Sequence, residues 1–582
     1  MNPAAFSIQN RLICFLVVIA ALVSGWAAFN TMARFEDPEF TIREAVILTQ
    51  YPGATPEEVA LEVSEVIESA LQEMQEVEEV RSVSSAGLSR VTVEVKFEFS
   101  PNRDALDQVW ASIRNRVRDA ALQLPPGASE PFVNDDFGDV YGLYYLLTGD
   151  GFTQQELYEY AKDLRTDLLQ GDGVAKVALA GVQQEVIYVE IARERAAQLG
   201  VSVNQLYNDL AQQNSVVSAG DVRVGERRLT ISPTGSVDSV TAIENIVVST
   251  ATAGTLVYLG DIAEVRRAYE DPASQLIRFN GEPAIALGVA NITGANVVEM
   301  GRSIDALLEE GMSRRPLGME LHEFYHQGRV VDQAVSDFAL NVLAALVIVL
   351  VTLLIFMGPR SALIIGGVLV LTIAATLATM QAFNIPMHRI SLGALIIALG
   401  MLVDNAIVVT EGILVGIQQG RKKLDVAKDI VRRTIWPLLG GTLVGLLAFA
   451  PIGFAPGSTA EYTGHLFWVV MISLLYSWVF AITAVPLFAD LLFKERADGA
   501  AATAGDGAFS RVYKGALRGV LALRYGVVLA AVGLFAVSVW AFQFVTPGFF
   551  PSSTTPQIVV DYWLAEGTDI EETRLDMVAL QS

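Results

Sequence analysis

The sequence predicts an α+β membrane protein: seven membrane-spanning helices plus a large water-facing domain of split βαββαβ subdomains with an insertion. Three observations carry this. Hydrophobic residues make up 52% and charged residues only 18% of a 582-residue chain, and the mean hydropathy is +0.42, the balance of an integral membrane protein. The apolar residues gather into seven stretches long enough to cross about 30 Å of hydrocarbon. The negative charge gathers elsewhere: residues 31–336 hold 24 Lys/Arg and 48 Asp/Glu, and the rest of the chain holds 16 of each. The net charge of −24 argues against nucleic acid as a partner. Cys14 is the single cysteine, which excludes an intrachain disulfide and Cys-based zinc sites.

The apolar stretches fall at 12–29, 338–357, 361–383, 391–416, 436–455, 465–489 and 525–545. The first is long for a cleaved signal peptide and reads as a retained anchor. The chain therefore divides into a first membrane helix (1–29), a water-facing domain (30–337) and membrane helices two to six (338–493). A linker with an amphipathic helix (494–524), a seventh membrane helix (525–545) and the start of a second water-facing domain (546–582) follow. Lys and Arg set the orientation. The 417–435 loop carries Arg421, Lys422, Lys423, Lys428, Arg432 and Arg433, and the 490–524 loop is also basic. These loops read as cytoplasmic, with block 30–337 on the opposite face. Residues 500–507 form a small-residue linker, and 509–523 fit an interfacial amphipathic helix.

Within the water-facing block, 45–51 reads as a strand. Thr55 and Glu58 form a capping box that opens a helix with Val59, Val63, Val66, Ala70 and Met74 as its apolar stripe. Val91, Val93, Val95, Phe97 and Phe99 alternate as one half-buried strand, and Leu106, Val109, Ile113 and Val117 mark the next helix. This is the ferredoxin-like order. A second such unit starts near Val140, with a helix from Thr153 and a strand at 174–180. It resumes at 282–290, with a helix at 295–310 and a strand at 319–325, leaving residues ~182–275 as an inserted subdomain.

An internal repeat joins the two ends. The first span leads to a strand and then to Gly53, Glu57 and Glu58. The last span leads to a strand at 558–564 and then to Gly567, Glu571 and Glu572, at a constant offset of 514. A duplication of this kind, common in secondary transporters, predicts a complete protein of roughly 1,030 residues.

Asp404 lies near the middle of the fourth span. A carboxylate there costs about 2.5–3.5 kcal/mol, and such acids mark ion or proton pathways. A desolvated carboxyl can alternate between protonated and ionised forms, as a proton carrier must. Glu411 is seven residues on, hence on the same helix face. No Lys or Arg lies in the core of any span to neutralise Asp404. Gly441 and Gly445, with Gly440, are spaced for a close helix approach in the fifth span. His322-Glu323-Phe-Tyr-His326 matches a zinc metalloprotease pattern, but that chemistry needs a helix. The flanking residues read as a strand, which separates the two histidines by ~13 Å. His388 and His465 sit at span ends without a pattern. No nucleotide-binding glycine loop is present, so no ATP drive, no cofactor and no metal are expected.

Leu399-Gly-Met-Leu-Val-Asp-Asn-Ala-Ile-Val-Val-Thr-Glu411 resembles the fourth-span motif of the resistance–nodulation–division (RND) efflux transporters, in their hydrophobe/amphiphile (acriflavin-resistance-like) branch. Tyr51-Pro-Gly-Ala54 resembles the segment after their first span, and Gln213-Asn-Ser-Val-Val-Ser-Ala-Gly-Asp-Val-Arg-Val-Gly225 the start of their intersubunit arm. Ile292-Thr-Gly-Ala-Asn296 and Gly358-Pro-Arg-Ser-Ala-Leu363 also fit. The resemblance covers the whole chain, matched to the family's N-terminal half plus the seventh span. It implies a homotrimeric inner-membrane pump that expels small amphiphilic substrates with a periplasmic adaptor and an outer-membrane channel, driven by protons. The water-facing block is then a periplasmic porter and the insertion a docking subdomain. By motif, the proton relay is Asp404, Asn405 and Glu411; the best-known drug pumps carry a second Asp where Asn405 stands. The relay lysine belongs to the family's second half. Tyr141, Tyr144 and Tyr145 offer aromatic surface to substrate, with Ala180 where drug pumps often carry Phe.

The leading expectation is a proton-driven exporter. A heavy-metal RND exporter should show a methionine cluster, whereas Met74, Met300, Met312 and Met319 are scattered. A membrane-anchored zinc metalloprotease rests on His322 and His326 alone. A non-transporting accessory protein is the remaining class.

Overall fold

The computed structural model describes residues 2–38, 41–136, 140–199, 201–213, 221–230, 239–248, 256–494, 508–545, 557–565 and 567–581. The 500–507 linker and the 214–220 part of the arm motif lie outside them. The chain forms two compact units. One comprises Met1–Met32, Asp37–Val133 and Ala334–Trp563; the other comprises Ala33–Glu36, Asn134–Gln333 and Leu564–Ser582.

A short helix that hydropathy missed opens the chain. α1 (Pro3–Gln9) has Asn2 as its cap, accepting from the Ala4 N–H, and Pro3 at its first position. α2 (Arg11–Thr31) contains the first apolar stretch. The first sheet follows, with β1 (Glu44–Gln50), α3 (Pro56–Val59), α4 (Glu65–Gln72), β2 (Val77–Ser85), β3 (Leu88–Val95), α5 (Arg103–Ala121) and β4 (Phe132–Asn134). Its order is β2-β3-β1-β4, the order of a split βαβ unit. Thr55 and Glu58 make the reciprocal capping box, and those bonds hold the Glu58 carboxyl below its ordinary range.

Two details differ from the sequence expectation. The buried stripe runs through Val59, Val63, Ile67 and Leu71, not through Val66 and Ala70. One wide π turn, Ala60–Ser64, rotates the later residues. The strand expected to continue to Phe99 ends at Val95, and Phe97–Phe99 forms a 3₁₀ turn. The last bonds of the ladder are there: β1 begins at Glu44, opposite Glu94, and the Arg43 carbonyl accepts the Val95 N–H at 2.9 Å. Arg43, 6% exposed, there bonds Glu461 at 2.6 Å, the Ser100 carbonyl at 3.1 Å and the face of Phe97.

The second sheet comprises β5 (Tyr141–Gly149), α6 (Gln154–Leu168) and β6 (Val174–Ala180). After it comes the insertion: β7 (Glu185–Ile191), α7 (Arg193–Gln198), α8 (Val203–Gln213), β8 (Asp221–Val224), β9 (Arg227–Thr230), α9 (Val240–Glu244), α10 (Leu259–Ile262) and β10 (Ala263–Tyr269). β7 and β10 pair antiparallel at its base, over an apolar cluster of its own that includes Leu206, Leu259 and Ile262. A short hairpin, β11 (Arg278–Phe279) and β12 (Glu282–Pro283), leads into β13 (Ile285–Asn291), α11 (Val297–Gly311) and β14 (Met319–His326). The sheet order is β14-β5-β13-β6, so the strands flanking the insertion are direct neighbours.

The remaining helices are α12 (Gln327–Met357), α13 (Pro359–Ala382), α14 (Arg389–Gln418), α15 (Lys423–Phe454), α16 (Ser458–Leu492), α17 (Ala508–Ala522), α18 (Arg524–Phe542) and α19 (Ile570–Gln581). Among the described residues, seven helices are long and apolar enough to cross a membrane: α2, α12–α16 and α18. The helix α15 absorbs most of the basic loop expected at 417–435, and Asp429 on it pairs with Arg421 and, one turn on, with Arg433. Within the first unit, one end of the helix group is tied by Arg11–Asp490 at 2.6 Å and by Lys423 Nζ donating to the Asp490 carbonyl. The other end is tied by Gln381 Nε2 donating to Thr31 and by Arg43–Glu461.

The repeat is visible in backbone geometry. Gly53 and Gly567 have φ of +86° and +87°, and each precedes a helix that starts three residues later. The strand expected at 558–564 is not paired into a sheet among the described residues.

The close helix approach also falls elsewhere than expected. A Cβ on Gly440 or Gly441 would meet nothing within 4 Å, and one on Gly445 only the tip of Leu474. A Cβ on Gly25 of α2 would lie 2.4 Å from the Ala374 carbonyl oxygen of α13. Gly25→Leu is expected to cost about 1–3 kcal/mol through overpacking and to lower the melting temperature in detergent, whereas Gly441→Leu should leave it unchanged.

Candidate functional site

The 30-residue helix α14 carries Asp404 midway along its length. It turns Leu395, Ala398, Leu402, Ala406 and Val409 inward, all nearly fully buried. The face it leaves open carries Gly400, Asp404, Val408, Glu411 and Val415. Asp404 and Glu411 therefore share one face, about 10 Å apart along the axis. Among the described residues no hydrogen bond or ion pair engages Asp404.

Asn405, 7% exposed, points the other way. Its Nδ2 donates to Ser477 Oγ of α16 at 3.2 Å and to Thr442 Oγ1 of α15 at 3.4 Å. Both hydroxyls have already spent their own hydrogens. Ser477 donates to the Leu402 carbonyl at 2.7 Å and Thr442 to the Leu438 carbonyl at 2.8 Å. Only acceptor lone pairs remain for residue 405, and the amide's two N–H groups match them. The structure thus separates the three expected relay residues: two acids on the open face, and Asn405 in the packed seam.

The three tyrosines divide as well. Successive strand residues face opposite sides of a sheet. Tyr145, 2% exposed, belongs to the core between the second sheet and its helices, so it offers no binding surface. Burial raises the pKa of its hydroxyl, with Asp305 and Glu323 nearby adding to the effect. Tyr144 lies on the other face, over a cluster of Leu146, Ala284 and Ala286 that it shares with Ala180, Ile277 and Phe279. Its ring meets Phe324 edge-on at 5.9 Å, and burial raises its hydroxyl too. Tyr141 covers Gly288, where an added Cβ would meet its ring at 2.7 Å.

The HExxH segment is the strand β14. A bulge at Phe324 changes the register, so the two histidines face opposite sides of the sheet. His322 stacks on Phe279 and bonds Thr148. His326 is buried and caps α12, with Nδ1 accepting the Arg329 N–H at 3.1 Å. The pair cannot share one zinc. Side-chain atoms of Asp305, Glu323 and His326 do lie within 4.8 Å of one another, a grouping the sequence spacing hid. Arg329 is the cation there, 2.7 Å from Glu323 and 3.2 Å from Asp305. Because Nδ1 of His326 is an acceptor, Nε2 keeps the ring hydrogen and faces Asp305 at 3.5 Å. The ring offers a metal no lone pair.

A second histidine pairing was also hidden. His388 and His465, 77 residues apart, meet with Nε2 to Nδ1 at 3.0 Å. No local signal in the sequence links them.

A family model described as the AcrB/AcrD/AcrF family matches residues 3–582. The chain belongs to the AcrB/AcrD/AcrF family. That family is one of RND efflux transporters. It is 25% identical over 567 residues to multidrug resistance protein MdtC of Pantoea ananatis (strain AJ13355), covering 96% of this chain and 55% of that protein. It is 24% identical over 601 residues to swarming motility protein SwrC of Bacillus subtilis (strain 168), covering 96% and 56%. Against multidrug resistance protein MdtC of Enterobacter sp. (strain 638) it is 24% identical over 564 residues, covering 95% and 54%. The chain spans about half the length of the curated relatives it matches.

In this AcrB/AcrD/AcrF-family chain the seam around Asn405 requires a donor at that position. Asn405→Asp should be tolerated when the introduced acid is protonated and penalised when it is ionised, since two acceptors would then face a carboxylate, at a cost of about 1–3 kcal/mol. Thermal melting in detergent should show Asn405→Asp well below Asn405→Leu at pH 8, with the gap closing at pH 5.

Proposed function

We propose that this chain forms part of an inner-membrane, proton-driven efflux pump for hydrophobic and amphiphilic compounds. The observation that carries the reading is Asp404. It stands midway along an apolar 30-residue helix, on a face shared with Glu411, with no bonded partner among the described residues. A carboxyl in that position exchanges a proton without first breaking a structural bond. Asp404 is the carrier, Glu411 extends the acidic face towards one end, and Asn405 positions the helix without titrating.

The basic residues of 417–435 and the Arg11–Asp490 tie gather at one end of the helices, which the positive-inside rule assigns to the cytoplasm. The end with Arg43–Glu461 and His388–His465 then faces the periplasm, together with the first sheet. The face of the second sheet carrying Tyr144, Phe279 and Phe324 supplies aromatic surface to an amphiphilic substrate; the small side chains of Ala180, Ala284 and Ala286 make room for it. Multidrug resistance in the name of the MdtC relatives supports this substrate class. A homotrimer working with a periplasmic adaptor and an outer-membrane channel completes the reading.

Asp404→Asn in the full-length transporter should abolish drug-dependent proton movement in proteoliposomes and drug resistance in cells, while insertion and melting temperature stay near wild type. Asn405→Ala should lower transport less, in step with its loss of stability. Full resistance with Asp404→Asn would refute the assignment.

A further inference from the structure

The histidine pair at the proposed periplasmic end has a proton arrangement that the fold dictates. His388 is the N-cap of α14. Its Nδ1 accepts the Ser391 N–H at 3.3 Å, and Ser391 Oγ accepts the His388 N–H at 3.0 Å. The ring is 1% exposed. With Nδ1 accepting, the hydrogen of the neutral ring sits on Nε2. From there it donates to Nδ1 of His465 on α16, at 3.0 Å. His465 in turn carries its own hydrogen on Nε2. One chain of bonds therefore runs Ser391 to His388 to His465, in a single direction.

No protonated state preserves that chain. A proton added to His388 goes on Nδ1, where it confronts the Ser391 N–H and removes the cap. A proton added to His465 goes on its Nδ1, where it confronts the His388 N–H. Reversing the shared bond moves the His388 hydrogen to Nδ1 and again removes the cap. The positive end of the α14 dipole opposes a cation at this position as well. Burial, with His465 beside it, lowers the pKa of His388. The other charged groups of this end have their own partners: Glu461, one turn earlier on α16, holds Arg43, and Asp37 accepts from Tyr462. Arg389 is the adjacent charge, half-buried.

We infer that His388 and His465 form a proton-operated latch, which fastens the periplasmic end of the Asp404 helix to α16 while both rings are neutral and releases it when either takes up a proton. The pair is a positioning element that acts through α14 and does not touch substrate. The inference deepens the pump reading and rests on it only for its purpose, not for its chemistry. The sign follows from linkage. The closed latch disfavours the proton, whereas the open form regains an ordinary histidine pKa near 6.5. Closure is complete above about pH 6.5 and is lost progressively below it.

The test is amide exchange of the first turn of α14 in the full-length transporter in detergent, corrected for the intrinsic pH dependence of exchange. Wild type should lose about fivefold in protection between pH 6.5 and 5.5, one proton taken up per opening by a group whose pKa is near 6.5 when free. His388→Asn keeps a side-chain acceptor for the Ser391 N–H but cannot titrate, so with only His465 left to take up a proton its first turn should lose clearly less protection than wild type at pH 5.5. His465→Gln, which keeps an acceptor for the His388 N–H, should blunt the same loss and serves if the first variant fails to fold. Asp404→Asn should be inactive in transport yet retain the wild-type pH response, which separates the latch from the relay. Protection independent of pH in wild type, or an unchanged fivefold loss in both histidine variants, would overturn the inference.

Discussion

The bond from Asn405 to Ser477 and Thr442 is the constraint on which the rest of the helix group depends. Once two hydroxyls have given their hydrogens to backbone carbonyls, the seam between α14, α15 and α16 accepts only a donor. Asn405 satisfies it, and the rotation of α14 about its axis is then set. Neighbouring helix residues point about 100° apart. Fixing Asn405 inward therefore leaves Asp404 on the open face, and Glu411, two turns on, lies beside it. A neutral amide with no proton to lose determines where an acid with a proton to lose is presented.

The same helix has two attachments to α16 of opposite character. The central one, Asn405–Ser477, holds at any pH at which proteins are folded. The terminal one, His388–His465, depends on two rings remaining neutral. A helix fixed in the middle and conditionally fixed at one end can tilt without losing its register. The proposed carrier Asp404 lies between those two attachments.

Much of this was legible in the sequence because it depends on short-range rules. Alternation located β3, capping boxes located α3 and α6, and hydropathy located the seven long helices. Asp404 was conspicuous because an acid in an apolar run is costly. What stayed hidden was of two kinds. Single-residue irregularities changed facing without changing composition: the π turn at Ala60–Ser64 moved a buried stripe by one position, and the bulge at Phe324 sent His322 and His326 to opposite faces. Long-range meetings left no local trace. His388 and His465 each sit in unremarkable surroundings, and Gly25, not the glycine-rich stretch of α15, is where two backbones touch. The tyrosine trio failed as a unit for the simplest reason, that strand neighbours cannot share a face.

Arg43 has one consequence for mechanics. Its guanidinium is buried, held two-pronged by Glu461 of α16, by the Ser100 carbonyl, and against the ring of Phe97. Pulling either partner away would strand a charge out of water, which costs about 3–5 kcal/mol. The entry to β1 and the first turn of α16 are thus joined through a largely buried ion pair, so a displacement of that end of the helix pulls on the edge of the first sheet before it reaches any looser connection.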